Sequence, residues 1–359
     1  MAEGHWPEVS CVFVMRHTDY INEWVHKIAP YTPGRTIEGA TKLASNENSY
    51  GPSPKVIAGL REKLPEIFRY PYKNVHVKEK LAEYCRVKPE NIVLGNGSDE
   101  TIELIIKAFR GPVASHYPTF AFYPICAQIY NREYISSSLN HDFSFNVQRF
   151  IKETWTANLV FLCSPNNPTG TVIDLQDIEE VAQTGKIVVV DEAYFEFYGT
   201  SAKHLLLQYP NVIILRTMAK AFGLAGLRMG YAIADPELAE ALKKVRGPFT
   251  TNYLAHEATL LALKDLDYMK KTVARLVHDR KAMEKKLADK YKAVPSNTNF
   301  ILVDVSPMSA KEFSEKMLEH RIVVRPQPKF AGWEGNYVRI TVGTSEENFA
   351  LADALARIR

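Results

Sequence analysis

The sequence predicts an α/β protein: a large domain on a mostly parallel, seven-stranded sheet flanked by helices, plus a smaller α+β C-terminal domain. Three observations lead there. Seven short apolar runs recur through the first two thirds of the chain, several are unbroken Val, Ile and Leu, and amphipathic segments separate many of them. Unbroken apolar runs suit strands buried on both faces, and helices alternating with such strands cover an open sheet.

The runs lie at 91–94, 112–116, 133–137, 159–163, 186–190, 212–215 and 229–233, with VVV before Asp191 and VIIL before Arg216. Helical patterns fall at 100–110, 175–184 and 236–245. Beyond Pro248 the texture changes to a long helical stretch over 254–290, interrupted near 265–267. A strand at 299–303, a helix at 310–320, strands at 322–325 and 337–341, and a last helix from Glu346 complete the smaller domain. The expected division is an arm or extension over 1–45, a large domain over 46–248 and a small domain over 249–359, in line with a norm of roughly 150 residues per domain. The arm is expected to pack on the small domain or on a partner subunit.

Composition narrows the function classes. Hydrophobic residues make up 46% and charged residues 24% of the 359, which fits a globular chain and excludes a disordered one. The 44 basic and 41 acidic residues leave +3, too balanced for the basic face that nucleic-acid binding needs. No apolar stretch approaches the ~20 residues of a membrane span, and no secretory signal is expected. Cys11, Cys85, Cys126 and Cys163 show no metal-ligand spacing and read as reduced thiols of a cytoplasmic protein. The histidines show no ligand spacing either, so no metal site is expected.

In an open α/β sheet, ligands bind at the carboxyl ends of the strands. Four of the runs end in suggestive residues. After 91–94 comes Gly95-Asn96-Gly97-Ser98-Asp99-Glu100, where glycines turn the chain and Ser98 or Asp99 can cap a helix whose free N–H groups bind phosphate. After 159–163 comes Ser164-Pro165-Asn166-Asn167-Pro168-Thr169-Gly170, a stiff loop able to aim the Asn167 amide at a ligand oxygen. After 186–190 comes Asp191-Glu192-Ala193-Tyr194; a carboxylate at the end of a buried strand is costly without a partner, and a protonated ring nitrogen would be one. After 212–215 comes Arg216-Thr217-Met218-Ala219-Lys220, followed eight residues on by Arg228. Burial among small apolar neighbours would make Lys220 a Schiff-base nucleophile, and Arg228 can reach an anion. Taken singly, each stretch also reads as an ordinary turn, cap or surface residue.

Their order and spacing together resemble the fold-type I pyridoxal-phosphate aminotransferases of the aspartate aminotransferase superfamily, through SPNNPTG, DEAY and the Thr-x-x-Lys segment ending in Arg228. The resemblance implies that Lys220 carries pyridoxal 5'-phosphate and later shuttles a proton, and that Asp191 pairs with the ring nitrogen. It further implies that Asn167 and Tyr194 bond the ring oxygen, Arg228 with Ser98 and Asp99 holds the phosphate, Phe120 stacks on the ring, and Arg339 clamps the substrate's anionic group.

The stretch from Lys42 to Pro54, with Arg69-Tyr70-Pro71, residues 296–300 and RITVGTSEEN, is similar to the histidinol-phosphate aminotransferase branch. That branch implies exchange of an amino group between histidinol phosphate and 2-oxoglutarate, giving glutamate. It implies a substrate pocket containing Tyr31, Asn48, Arg325 and Arg339, and a homodimer in which Tyr70 reaches the neighbouring site. Three positions depart from the pattern: Ala219 where Ser is frequent, Ser49 where Pro is usual, and Tyr72 where an acidic residue is common. Aromatic amino acid aminotransferases and threonine-phosphate decarboxylases share nearly all of these motifs and remain alternatives. The resemblance begins by about residue 31, so no fused DNA-binding segment is expected.

Overall fold

The computed structural model describes residues 16–30 and 34–358. Cys11 and Tyr31, named above, lie outside them. A short strand β1 (Thr41–Lys42) precedes the large sheet. The large sheet consists of β2 (Ile92–Asn96), β3 (Val113–Tyr117), β4 (Tyr134–Ser138), β5 (Leu159–Cys163), β6 (Ile187–Asp191), β7 (Val212–Thr217) and β8 (Met229–Ala234), in the order β2-β8-β7-β6-β5-β3-β4. Only β8 runs against its neighbours.

Each apolar run supplies side chains to both faces. Val188 and Val190 of β6 and Val212 and Ile214 of β7 join one core cluster, whereas Val189, Ile213 and Leu215 join another on the opposite face. All of these are buried, so period-two alternation of polarity is absent, and the continuous Val/Ile pattern is its direct cause. Helices Gly97–Ala108 and Pro236–Val245 pack on the second face, burying Ile102, Ile105, Ala239 and Leu242.

After helices Tyr253–Leu263 and Leu266–Ala288, β9 (Lys292–Val294), β10 (Phe300–Asp304), β11 (Ile322–Val323), β12 (Arg325–Pro326) and β13 (Tyr337–Thr341) follow. Four of them form an antiparallel sheet in the order β12-β13-β10-β9. The segment expected as one strand over 322–325 is two: β11 pairs in parallel with β1, and β12 pairs with β13. The arm residues Thr41 and Lys42 are thereby tied to the C-terminal part of the chain. Helix Gly97–Ala108 begins earlier than the sequence pattern implied. Ser98 and Asp99 therefore sit within its first turn, and the N-cap is Asn96.

One contact fixes where that helix starts. Gly230 of β8 lies so close to the Gly97–Ser98 peptide that an added Cβ would come within 2.4 Å of the Ser98 nitrogen. Neither partner is a side chain that can rotate away, so the closeness is built into two backbones. Gly230→Ala is expected to destabilise the protein by about 1–3 kcal/mol, as overpacking does. The midpoint of urea unfolding checks this.

Candidate active site

The topology delivers polar residues to one edge of the large sheet. β3, β5, β6 and β7 run in parallel, so the residues after them share that edge. Because β8 runs the other way, Arg228, just before its start, lies there too, as do Gly97–Asp99 after β2. These residues surround a cavity of about 220 Å³. Ser98, Asp99 and Arg228 line one part of it, and Asp191, Tyr194, Asn167 and Phe120 another. Lys220 lies in the wall, and Arg325 and Arg339 of the smaller sheet complete it.

Asp191 ends β6 on the face that carries Val189. Its carboxylate accepts from the Tyr123 hydroxyl at 2.7 Å and from the Ala193 amide at 3.1 Å. Among the described residues no cation pairs with it. Burial therefore pushes its pKa up to about 6, although the Tyr123 bond opposes the shift. Lys220 shows the mirror effect: burial lowers its amine to about 8, helped by the Arg339 charge. Its Nζ donates to the Ser45 carbonyl at 3.3 Å. Burial also pushes the Tyr194 phenol up, so it keeps its proton, and Asn46 donates to its hydroxyl at 2.8 Å.

Arg228 meets Asp99 at 2.5 Å beside Gly97, where φ is +80° and a Cβ would strike the guanidinium at 2.4 Å. A glycine is required there on both counts. The result is an anion cradle: helix N-terminal amides, a hydroxyl and a guanidinium held by a carboxylate. Across the cavity, Arg325 and Arg339 are direct partners in the β12–β13 register. Directly opposed side chains lie on one face of the sheet. Arg339 also donates to the Asn167 amide oxygen at 2.6 Å and to the Ala44 carbonyl at 2.8 Å.

Two residues of the expected set lie apart from this cavity. Asn48 donates to the Ala221 carbonyl at 3.0 Å and accepts from the Tyr50 amide, so it braces the turn after Lys220. Tyr70 is exposed and stacks on Phe249, with ring centroids 4.5 Å apart. Two residues went unnoticed in the sequence. Tyr123 lies three residues beyond Phe120, in the helix Phe122–Ile129 that follows it, and its amide donates to the Phe120 carbonyl. Asn46, with φ +55°, falls inside the Lys42–Pro54 signature, which gave it no role of its own.

The model of the aminotransferase class I and II family matches residues 38–355. The chain belongs to this family. It is 36% identical over 344 residues to the histidinol-phosphate aminotransferase of Thermococcus gammatolerans, spanning 94% of this chain and 97% of that protein. With the same-named enzyme of a Thermoanaerobacter species it is 40% identical over 328 residues, 88% of this chain and 92% of that one. Among solved structures, the histidinol-phosphate aminotransferase of Sinorhizobium meliloti in complex with pyridoxal-5'-phosphate superposes with a TM-score of 0.85 at 26% identity, over 94% of this chain and 96% of that one. The Clostridium acetobutylicum enzyme gives 0.82 at 26% identity, over 88% and 98%. The aminotransferase architecture is thus the fold-type I arrangement that the motifs resembled.

The residues present fit the cofactor of that family. A buried carboxylate lacking a cation, a cradle shaped by Gly97, and an amine lowered by burial are the three environments that a ring nitrogen, a phosphate and an aldehyde need. The Asp191 shift also sets a pH dependence. With a folded value near 6 and an ordinary value of 3.8, the native state holds more protons than the unfolded state between them. Stability of the cofactor-free protein should therefore fall as pH rises from about 4 through about 6, by roughly 3 kcal/mol from this group. Asp191→Asn should remove that component, making the cofactor-free variant the more stable above pH 6. Urea unfolding at several pH values checks it.

Proposed function

We propose that the chain is a pyridoxal-phosphate-dependent aminotransferase exchanging an amino group between L-histidinol phosphate and 2-oxoglutarate, giving imidazole acetol phosphate and L-glutamate, in L-histidine biosynthesis. The observation that carries the substrate choice is the cross-strand pair Arg325 and Arg339 at the cavity wall. Histidinol phosphate has no carboxylate and glutamate has two, so one pocket must take a phosphate in one half-reaction and a carboxylate in the other. Both anions suit a guanidinium fork. The names of the relatives support the same reading.

When bound, pyridoxal phosphate supplies an electron sink for the electron pair left at the substrate's amine-bearing carbon. The chain's own residues do the rest. Arg228, Ser98 and the first amides of helix Gly97–Ala108 would hold the phosphate, with Asp99 orienting Arg228. Asp191 would stay ionised by pairing with the ring nitrogen, itself aimed by Tyr123. Tyr194 and Asn167 would donate to the ring oxygen, and Phe120 would cover one ring face. The Lys220 amine, at about 8, is poised to remove the proton from the substrate carbon and to return one.

We also propose a homodimer in the cytoplasm. Ile67, Phe68, Tyr70, Tyr72 and Val75, together with Phe249, leave an exposed apolar strip that a second copy would cover, bringing Tyr70 to the neighbouring site. Cys85, Cys126 and Cys163 are free and buried, in keeping with a reducing compartment.

The test is one half-reaction, read from the absorbance of the bound cofactor. L-histidinol phosphate should react at least about tenfold faster than L-phenylalanine or L-threonine phosphate. Faster phenylalanine would make the enzyme an aromatic aminotransferase, and carbon dioxide from threonine phosphate would make it a decarboxylase. Lys220→Ala should abolish turnover. Arg339→Ala should raise KM for both histidinol phosphate and glutamate by roughly 10–100-fold, as loss of a charged hydrogen-bond donor does; an unchanged glutamate KM contradicts the shared pocket.

A further inference from the structure

Arg325 and Arg339 stand at the two ends of a single connection, residues 327–336, between β12 and β13. That connection is fastened to segments that follow β3 and β4 of the large sheet. The Trp333 indole lies flat on the Phe143 ring, with centroids 5.4 Å apart and planes 3° apart. Its Nε1 donates to the His141 carbonyl at 3.2 Å. The Ala331 amide donates to the Tyr117 hydroxyl at 3.1 Å, and Phe330 meets Tyr117 and Phe143 edge-on.

Each anchor on the large-sheet side leads into the cavity wall. Tyr117 ends β3 and is followed by Pro118, Thr119 and the cavity residue Phe120. The Phe143 carbonyl accepts from the Thr171 hydroxyl at 3.2 Å, and that hydroxyl meets the Thr169 hydroxyl at 2.7 Å, in the loop that carries Asn167. Phe143 itself has φ +64°, a conformation that bulky residues rarely adopt and that only an over-determined surrounding maintains. Held so, it presents its ring to Trp333.

The connection is also braced by its own residues and by β10 and β13. Lys329 Nζ donates to the Glu334 carbonyl at 2.7 Å, the Asn336 amide donates to Asp304 at 3.0 Å, and Phe330 stacks on Tyr337. A stiff loop transmits the position of Trp333 to Tyr337, and from there to Arg339 two residues on.

We propose that Trp333, with Phe143 and Tyr117, is a latch that sets the position of the Arg325–Arg339 pair relative to the Phe120 and Asn167 walls. Trp333 is therefore a positioning residue for the anionic group of the substrate. The inference rests on the reading of the two arginines as an anion clamp.

The test uses the holoenzyme and the variants Trp333→Ala, Trp333→Phe and Tyr117→Phe. KM and kcat are measured for L-histidinol phosphate and L-glutamate, with inorganic phosphate as a competing probe and cofactor retention as a control. Trp333→Ala should raise both KM values and weaken phosphate inhibition by roughly fivefold to thirtyfold, with kcat within about twofold and cofactor retention unchanged. Trp333→Phe keeps a ring on Phe143 and should recover most of the loss; Tyr117→Phe should give a smaller loss of the same kind. Unchanged KM and phosphate inhibition in Trp333→Ala overturns the latch. So does a fall in kcat and cofactor retention with KM unchanged, because the cluster would then merely hold the fold. If Trp333→Ala does not fold, unchanged KM in Tyr117→Phe overturns it. Should histidinol phosphate prove not to be the substrate, phosphate inhibition against whichever amino donor turns over still reads the latch.

Discussion

A buried carboxylate with which no cation of the described residues pairs governs this cavity. Asp191 is fixed by β6 with Val188, Val189 and Val190 behind it, and among the described residues it accepts from one phenol and one amide. Two neutral donors do not offset the desolvation of a charge, which is why the group is pushed up to about 6. A fold that keeps such a residue gives up stability in the free protein and recovers it when a cation enters. Arg228 at the helix start and Arg325 with Arg339 across the cavity line the same space, where we propose that they meet the anions of cofactor and substrate.

The seam between the two sheets is made by residues 44–48. The Asn46 side chain donates to the Tyr194 hydroxyl and accepts from Thr341 of β13, while its carbonyl accepts from Asn299. The Ala44 carbonyl holds Arg339, and the Ser45 carbonyl holds Lys220. One short segment thus contacts the lysine, the phenol and the clamp arginine at once. A displacement of the smaller sheet would be felt directly at Lys220 and Tyr194.

Much of the site was legible because the sheet does the sorting. Once 159–163, 186–190 and 212–215 read as buried parallel strands, the residues after them had to share an edge, and Asn167, Asp191 and Lys220 followed. Arg228 was legible from its spacing eight residues after Lys220 and from the resemblance; that it reaches the same edge because β8 runs the other way is visible only in the fold. What escaped was set by contacts distant in sequence. Tyr123 matters only because helix Phe122–Ile129 lays its hydroxyl against Asp191. Asn46 matters only because β13 and Tyr194 meet around it. The β11–β12 break at Val324 was hidden inside one apolar run, and β9 was too short to stand out against the charged helix before it. The Asn48 side chain donates to the Ala221 carbonyl, a contact that no local pattern announces.

Asp191 lies buried beside no cation of the described residues, and we propose that the ring nitrogen of pyridoxal phosphate supplies one. The most direct measurement is calorimetric binding of pyridoxal phosphate and of its analogue with carbon in place of the ring nitrogen, to the wild-type protein and to Asp191→Asn. The analogue should bind the wild-type protein at least about tenfold more weakly, in line with loss of a charge-assisted hydrogen bond, and the difference should vanish in the variant. Equal binding of the two ligands to the wild-type protein would contradict it.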